Sequence, residues 1–491
     1  MFPHFENGNY GGLAAGFAGL DDPSLSSPGM VDEMVKALAA GSDQNNPGTA
    51  AGEGFPLRME SLDSTLFNVT YSAKDIKFWR ALYKDRAYNT IEEYNRLEGY
   101  GSGQGIYMAE GDLPQEDDST YSRQVTRIKF MGIVRRVTHV MTVVRAAHGD
   151  PVAREQVNGT LALLRQVEKD LFQGNEDLNP LQFDGLEKLL TTAWGSTTED
   201  DGHASGYGTE YVIDARGGPL TEDLITDLGE VLVREGNYGE PSDFWTGTGP
   251  VKDISKTMYP KERVNLPAPN KGVAGVAIES ILTPFGTINL NPNIFIPQSS
   301  TPNAEGLGKA ALRAVAPTIS SASAAAYGGS NTNHWAAADA GDYYYKVVAV
   351  NKYGKSTPVT SAAVTVAADD VVSLVIADNG ADTLYYEVSR STKDGAASTC
   401  KLIASVPRTA ASQTWKDLNR FLPGTYRGYM LTQSSEVLKW KQLAPLLKLP
   451  LAQVDSSIRW MQLLYGALQV MAPKKCGMII NIGNLETGAY A

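Results

Sequence analysis

Asp150-Pro-Val-Ala-Arg-Glu-Gln-Val-Asn-Gly-Thr-Leu-Ala-Leu-Leu-Arg-Gln-Val-Glu-Lys-Asp-Leu-Phe172 carries the signs of one long helix. Asp150 is a good N-cap, because its short carboxylate can accept from the free N–H groups of a first turn. Pro151 suits the first helical position, where no N–H is needed. Ala153, Val157, Leu161, Leu164, Val167 and Leu171 recur at steps of three and four residues, which places them on one face toward a core. Gly174 is well placed to end the helix. Residues 151–172 would span ~33 Å at the helical rise. Gly159 inside the pattern costs ~1 kcal/mol relative to Ala. That cost fits a second backbone passing close to Gly159.

Upstream, Ser72 is an N-cap for a helix with Ile76, Trp79, Ala81, Leu82 and Tyr83 on a mixed face, and this helix is expected to run, with breaks, to Leu97. Gly99-Tyr-Gly-Ser-Gly-Gln-Gly105 and an acidic loop, 110–118, follow. From Arg123 to Val144 the chain is strand-like, with Val125, Ile128, Phe130, Ile133, Val134, Val137 and Val140 supplying β-branched and aromatic side chains. Arg123, Arg127, Lys129, Arg135 and Arg136 interleave with them, and Gly132 marks a bulge or bend. The expectation is two long strands joined by an acidic tip, projecting as a hairpin. Residues 1–54 are rich in Gly, Ala, Ser, Asn and Asp and read as an extended arm with one short helix over 28–40.

Downstream, 175–300 reads as mixed α and β, with an amphipathic helix over 220–235 and a strand-like run over 285–297. From 301 to 419 the composition shifts to Ala, Ser, Thr, Val and Tyr. Short strands are expected at 361–367, 371–377, 383–390 and 401–406, and Tyr343, Tyr345, Val347 and Ala349 share one strand face. Close strands with regular turns indicate a β-sandwich. Residues 458–471, apolar and aromatic, are core rather than binding surface, and a last strand runs through Met478-Ile-Ile-Asn-Ile482.

Bulk properties narrow the function. A chain of 491 residues allows several domains, and 20% charged residues is ordinary for a globular protein. The net charge of -12 argues against a surface built to grip nucleic acid but not against a container that holds it loosely. Two cysteines, Cys400 and Cys476, build no disulfide framework and read as free thiols. The first ten residues lack a signal-peptide pattern, and no apolar run is long enough for a membrane span.

No motif carries chemistry. The glycine run 99–105 lacks the Lys of a phosphate loop and leads into acids that would repel phosphate. His4, His139, His148, His203 and His334 stand at no metal-pair spacing. The clusters 116–118 and 199–201 lack the calcium-loop pattern. No catalytic, cofactor-binding or metal residue is therefore assigned, and no enzyme is expected.

The order of these elements resembles the tailed-phage major capsid proteins of the Hong Kong 97 fold. Thr126-Arg-Ile-Lys-Phe-Met-Gly-Ile-Val-Arg135 resembles the returning strand of that family's E-loop, and Asp150 to Asp170 its spine helix. Leu463-Leu-Tyr-Gly-Ala467 and Lys475-Cys-Gly-Met-Ile-Ile-Asn-Ile-Gly483 resemble late segments. The resemblance covers about 55–300 and 420–491. Tyr343-Tyr-Tyr-Lys-Val-Val-Ala-Val-Asn351, with Gly354 and Ser356, instead resembles a fibronectin type III or immunoglobulin-like strand and turn.

The resemblance implies an α+β fold with an inserted β-sandwich. It divides the chain into a flexible N-terminal segment (1–54), an N-arm with helix (55–99), an E-loop hairpin (100–146), a first part of the peripheral and axial domains (147–302), the insert (303–419) and their C-terminal part (420–491). The implied function is a shell subunit of the virion, assembled in the host cytoplasm as hexamers and pentamers around double-stranded DNA held by loose contact. Scaffold, portal and decoration proteins are the implied partners, with no cofactor and no membrane. The competing reading is a glycan-binding adhesin or other virion surface protein carrying the same β-sandwich. It explains 301–419 but neither the long helix nor the hairpin.

Overall fold

The computed structural model describes residues 70–103, 107–111, 113, 116–144, 149–194, 211–234, 238–258, 278–296, 298–305, 312–329, 333–380, 382–453 and 455–485. The elements below belong to one compact unit, residues 68–144 and 150–491. The helix expected over 28–40, His4, His148, His203 and the acidic cluster 199–201 lie outside the described residues.

The long helix is Pro151–Gln173. Asp150 caps it by accepting from the Val152 N–H at 3.0 Å, and Gly174 closes it by donating to the Asp170 carbonyl. Its expected face meets the core from Leu161 onward, where Leu161 and Leu164 pack against the cluster that buries Val167 and Leu171, and departs from expectation only in the first turns. Leu163, Val167, Leu171 and Phe172 are buried, Leu161 and Leu164 are half-buried, and Ala153 and Val157 are exposed. The first turns extend beyond the apolar cover that the later turns receive. At Gly159 the close neighbours are side chains rather than a backbone. A Cβ there would lie 2.5 Å from Gln462 Oε1 and 3.2 Å from Arg135 Cγ.

The expected helix from Ser72 to Leu97 is not formed. Ser72 does cap a turn, Ala73–Asp75, through a reciprocal capping box in which Asp75 accepts from the Ser72 N–H at 2.6 Å. One further turn, Phe78–Ala81, buries Phe78 and Trp79. The chain then extends as strands Tyr83–Arg86 and Ile91–Gly99. The helical spacing of Ile76, Trp79 and Leu82 holds for a single turn only. Pairing with distant strands decides the conformation beyond it.

Two sheets frame the helix. One is four-stranded, in the order Tyr83–Arg86, Leu438–Pro450, Ser457–Val470, Lys129–Thr138. The other is six-stranded and mixed, in the order Val212–Asp214, Gly477–Ile482, Tyr426–Leu431, Asp243–Thr246, Gly286–Pro292, Ser280–Thr283. Helix Glu222–Val233 covers the second sheet with Ile225, Leu228 and Leu232, as the 220–235 pattern predicts. Gly132, read from sequence as a bulge, sits in regular pairing opposite Leu463. A Cβ on Gly132 would lie 2.6 Å from a Leu463 methyl, so the glycine makes room for that side chain.

Residues 318–417 form short antiparallel strands. One sheet pairs Ser412–Asp417, Asp370–Ala377 and Thr318–Ala326. A second is built on Tyr345–Asn351, Tyr385–Arg390 and Lys401–Pro407. Tyr345, Val347 and Ala349 from one and Val372, Leu374 and Trp415 from the other are buried in a core continuous with that of the long helix. Arg390, fully buried, donates to Asp417 Oδ2 and Asn419 Oδ1, each at 2.6 Å, and stacks over Trp335. Tyr345 O–H donates to the same Asp417 oxygen at 2.9 Å. Burial alone would lower the Arg390 pKa; Asp417 and Tyr345 more than offset this and hold it above its usual value. Asn419 continues the network to Asp339, and Arg216, beside the six-stranded sheet, donates to the Asn419 and His334 carbonyls.

Candidate assembly surfaces

The four-stranded sheet has unequal faces. Alternation along Lys129–Thr138 points Met131, Ile133 and Arg135 toward the long helix. Gln462 joins that face by donating to the Gln156 carbonyl at 2.8 Å, and Arg135 pairs with Glu155 at 3.5 Å. The opposite face is apolar and lies in cross-strand rows. Leu449 stands opposite Met461, which stands opposite Val134. Leu447, Leu463 and the Gly132 gap form the next row, and Tyr465 faces Phe130 edge-on at 5.1 Å. Phe130 and Val134 are each 59% exposed, and Leu447 and Leu449 are exposed beside them. A contiguous apolar patch of this kind marks an interaction surface.

The hairpin is Ile91–Gly99 paired with Thr120–Arg127, from Ile91 opposite Arg127 to Gly99 opposite Thr120. Its first strand is the segment expected as helix, and its second is only the start of the expected strand run. The remainder, Lys129–Thr138, belongs to the four-stranded sheet. One hairpin face rests on the body. Tyr94 O–H donates to the Val470 carbonyl at 3.0 Å, and Arg96 Nε donates to the Met471 carbonyl at 2.8 Å. The other face exposes Ile91, Leu97, Tyr121 and Val125 between charged side chains. At the tip, Tyr100 and Tyr107 are 87% and 99% exposed.

The base of this lever is fixed by a residue that sequence reasoning passed over. Glu168, on the long helix, is fully buried. Its Oε1 accepts from the Phe78 N–H and Asn293 Nδ2, each at 2.7 Å, and from the Lys77 N–H at 3.2 Å. Its Oε2 accepts from the Trp79 N–H at 2.7 Å. Burial pushes its pKa up against the pull of these donors. A glutamate among surface-type residues gives no composition signal. The one available hint is that it stands next to Val167 on the apolar side of the helix.

The remaining singled-out residues do not converge. The glycine loop closes on itself. Gly101 and Gly103 have positive φ, and the Gly103 N–H donates to Asp117 at 2.9 Å, occupying a group that a phosphate would need. His139 is exposed at the start of a short helix, and His334 offers its carbonyl to Arg216. Cys400 and Cys476 are both buried and unbridged, and burial pushes their thiols up to about 11 and about 12. Among the described residues no cluster of three metal-ligating side chains occurs. A polar cleft of about 320 Å³ beside the end of the long helix holds ion pairs Lys188–Asp177, Arg427–Glu187 and Lys355–Glu387, with Asp170 pushed up to about 6 by burial.

A subunit with an uncovered apolar sheet face and a projecting hairpin is one that completes itself on other molecules. The family model described as SU10 major capsid protein matches residues 42–312, more than half of the chain, and the chain belongs to that family. It is a major capsid protein, a non-enzymatic subunit that assembles with copies of itself into the phage head shell, and its place is the virion capsid. Curated relatives agree. A putative major capsid protein of Enterococcus phage phiEF24C is 26% identical over 93% of this chain and 96% of its own. The major capsid protein of Staphylococcus phage K is 25% identical over 92% of this chain and 95% of its own. Similar solved structures include the capsid of a native GTA particle (TM-score 0.47, 8% identity, 89% of this chain and 99% of that one) and a chain from Mycobacterium phage Bobi (TM-score 0.43, 8% identity, 89% and 99%).

Proposed function

We propose that the chain is a capsid subunit of the Hong Kong 97 type in which the hairpin of one copy lies across the apolar sheet face of the next. The observation that carries this is the set of rows Leu449–Met461–Val134 and Tyr465–Phe130. Phe130, Val134, Leu447 and Leu449 are exposed on one side of a sheet whose other side packs on the long helix through Met131, Ile133 and Gln462. On this reading Pro151–Gln173 is the spine helix, the six-stranded sheet belongs to the axial domain, and the E-loop is 91–127 rather than 100–146. Such subunits close into hexamers and pentamers of an icosahedral shell around double-stranded DNA, with scaffold, portal and decoration proteins as further partners.

Residues 303–419 are the immunoglobulin-like insert, supported by two antiparallel sheets that bury a shared core. An inward insert on each subunit would occupy genome volume, so it faces outward. Its core is continuous with that of the long helix, so it is braced on the body rather than a free module.

Deleting 101–116 tests the reading. The subunit is expected to stay folded, because the described residues of this stretch supply no core residue, and to fail to close shells in electron micrographs. Normal shells from the deletion would remove the hairpin's assembly role.

A further inference from the structure

We propose that the acidic hairpin tip of one copy seats on the basic edge segment 74–86 of the next, closing a head-to-tail ring of charge contacts. This rests on the reading that the hairpin engages a neighbour, and it names the surface that receives the tip.

Segment 74–86 is built to present charge. Ile76, Phe78, Trp79 and Leu82 turn into the core, and the buried Glu168 carboxylate holds the backbone of Lys77, Phe78 and Trp79. The side chains of Lys74, Lys77, Arg80, Lys84 and Arg86 are therefore all exposed. No carboxylate of the described residues pairs with any of the five. The two acids of the segment are committed elsewhere. Asp75 closes its own capping box, and Asp85 is held by Lys439 at 3.4 Å and Lys441 at 2.7 Å. Strand Tyr83–Arg86 is the edge of its sheet, with one neighbour, Leu438–Pro450, and an open hydrogen-bonding row on its other side among the described residues. An open edge of this kind calls for a cover.

The tip has the opposite character. Between Arg96 and Arg123 the sequence contains no Lys or Arg. Glu110, Glu116, Asp117 and Asp118 are exposed there, beside the exposed rings of Tyr100 and Tyr107. Within one chain the two surfaces lie at opposite ends of the lever. Arg86 precedes the first hairpin strand by a short turn, and a nine-residue strand carries the tip ~30 Å away. A contact between two different patches of identical subunits is heterologous, and when its rotation closes it makes a ring. Each subunit then gives one tip and receives one. Double-stranded DNA would also attract the cations, but it has no complement for the acidic tip.

The test is shell assembly of the full chain with charges exchanged. Lys74→Glu, Arg80→Glu and Arg86→Glu together are expected to cut shell yield at least ~10-fold, because like charges then meet across the contact. Glu110→Lys, Glu116→Lys and Asp118→Lys together should do the same. All six combined should return yield to within ~3-fold of the unaltered chain, since coupled sites compensate. A milder pair, Lys74→Gln with Arg86→Gln, serves if the reversed set does not fold, and its deficit against the unaltered chain should shrink as salt rises, because salt screens the intact contact as well. Either triple assembling normally, or folded six-fold subunits no better than the triples, overturns the proposal. So does loss of DNA retention in the basic triple without rescue by the acidic one, which would assign the cations to nucleic acid. If deleting 101–116 blocks closure while the charge reversals do not, the hairpin reading stands and the charge pairing falls.

Discussion

Asp417→Ala is expected to destabilise the subunit by about 3–5 kcal/mol, the usual cost of leaving one partner of a buried ion pair without the other. Asp417 accepts from Arg390 at 2.6 Å, from the Tyr345 hydroxyl and from the Asn419 N–H, and Arg390 has no route to water. A domain has ~5–15 kcal/mol of stability to lose. The variant should therefore unfold at markedly lower denaturant or appear insoluble. The double variant Asp417→Ala with Arg390→Met removes the stranded charge and should recover part of the loss. A single variant as stable as the parent would show that the network contributes nothing to the fold.

Glu168→Ala is expected to cost on the order of 3–5 kcal/mol, because it strands three backbone N–H groups and Asn293 without an acceptor in a buried place. The loss should be local first. Amide exchange at 77–79 should speed up and proteases should cut near 70–90, while the six-stranded sheet stays protected. Glu168→Gln should also fail, since its –NH₂ would meet donors where an acceptor is needed. Unchanged exchange at 77–79 in both variants would show that packing of Phe78 and Trp79 alone holds the turn.

The parts legible in sequence were those set by local chemistry. The Asp150-Pro151 start and the Gly174 stop delimit the long helix within a residue, and the strands around Tyr345, Leu374 and Val388 follow from alternation and turns. The parts that were not legible depend on partners far along the chain. Ile91–Gly99 is polar enough to pass for a frayed helix, and its extended form comes from pairing with Thr120–Arg127. Gly132 reads as an irregularity until Leu463 lies over it. Glu168 looks like a surface residue, and its burial follows from the arm that folds over it. Residues 458–471, read as core, do bury Trp460, Leu464, Leu468 and Val470, but the solvent side of the same four-stranded sheet gave no sequence signal of its own. Phe130, Val134, Leu447 and Leu449 stay exposed there, consistent with a subunit that finds part of its core on a neighbour.

On the proposed reading this subunit closes shells by laying its hairpin on the apolar sheet face of the next copy. Cryo-electron microscopy of the purified assembled protein tests it most directly. The expected result is closed shells of uniform diameter in which each 91–127 hairpin covers Phe130, Val134 and Met461 of a neighbour. Shells in which that face lies open to solvent, with no neighbouring hairpin over it, would contradict it.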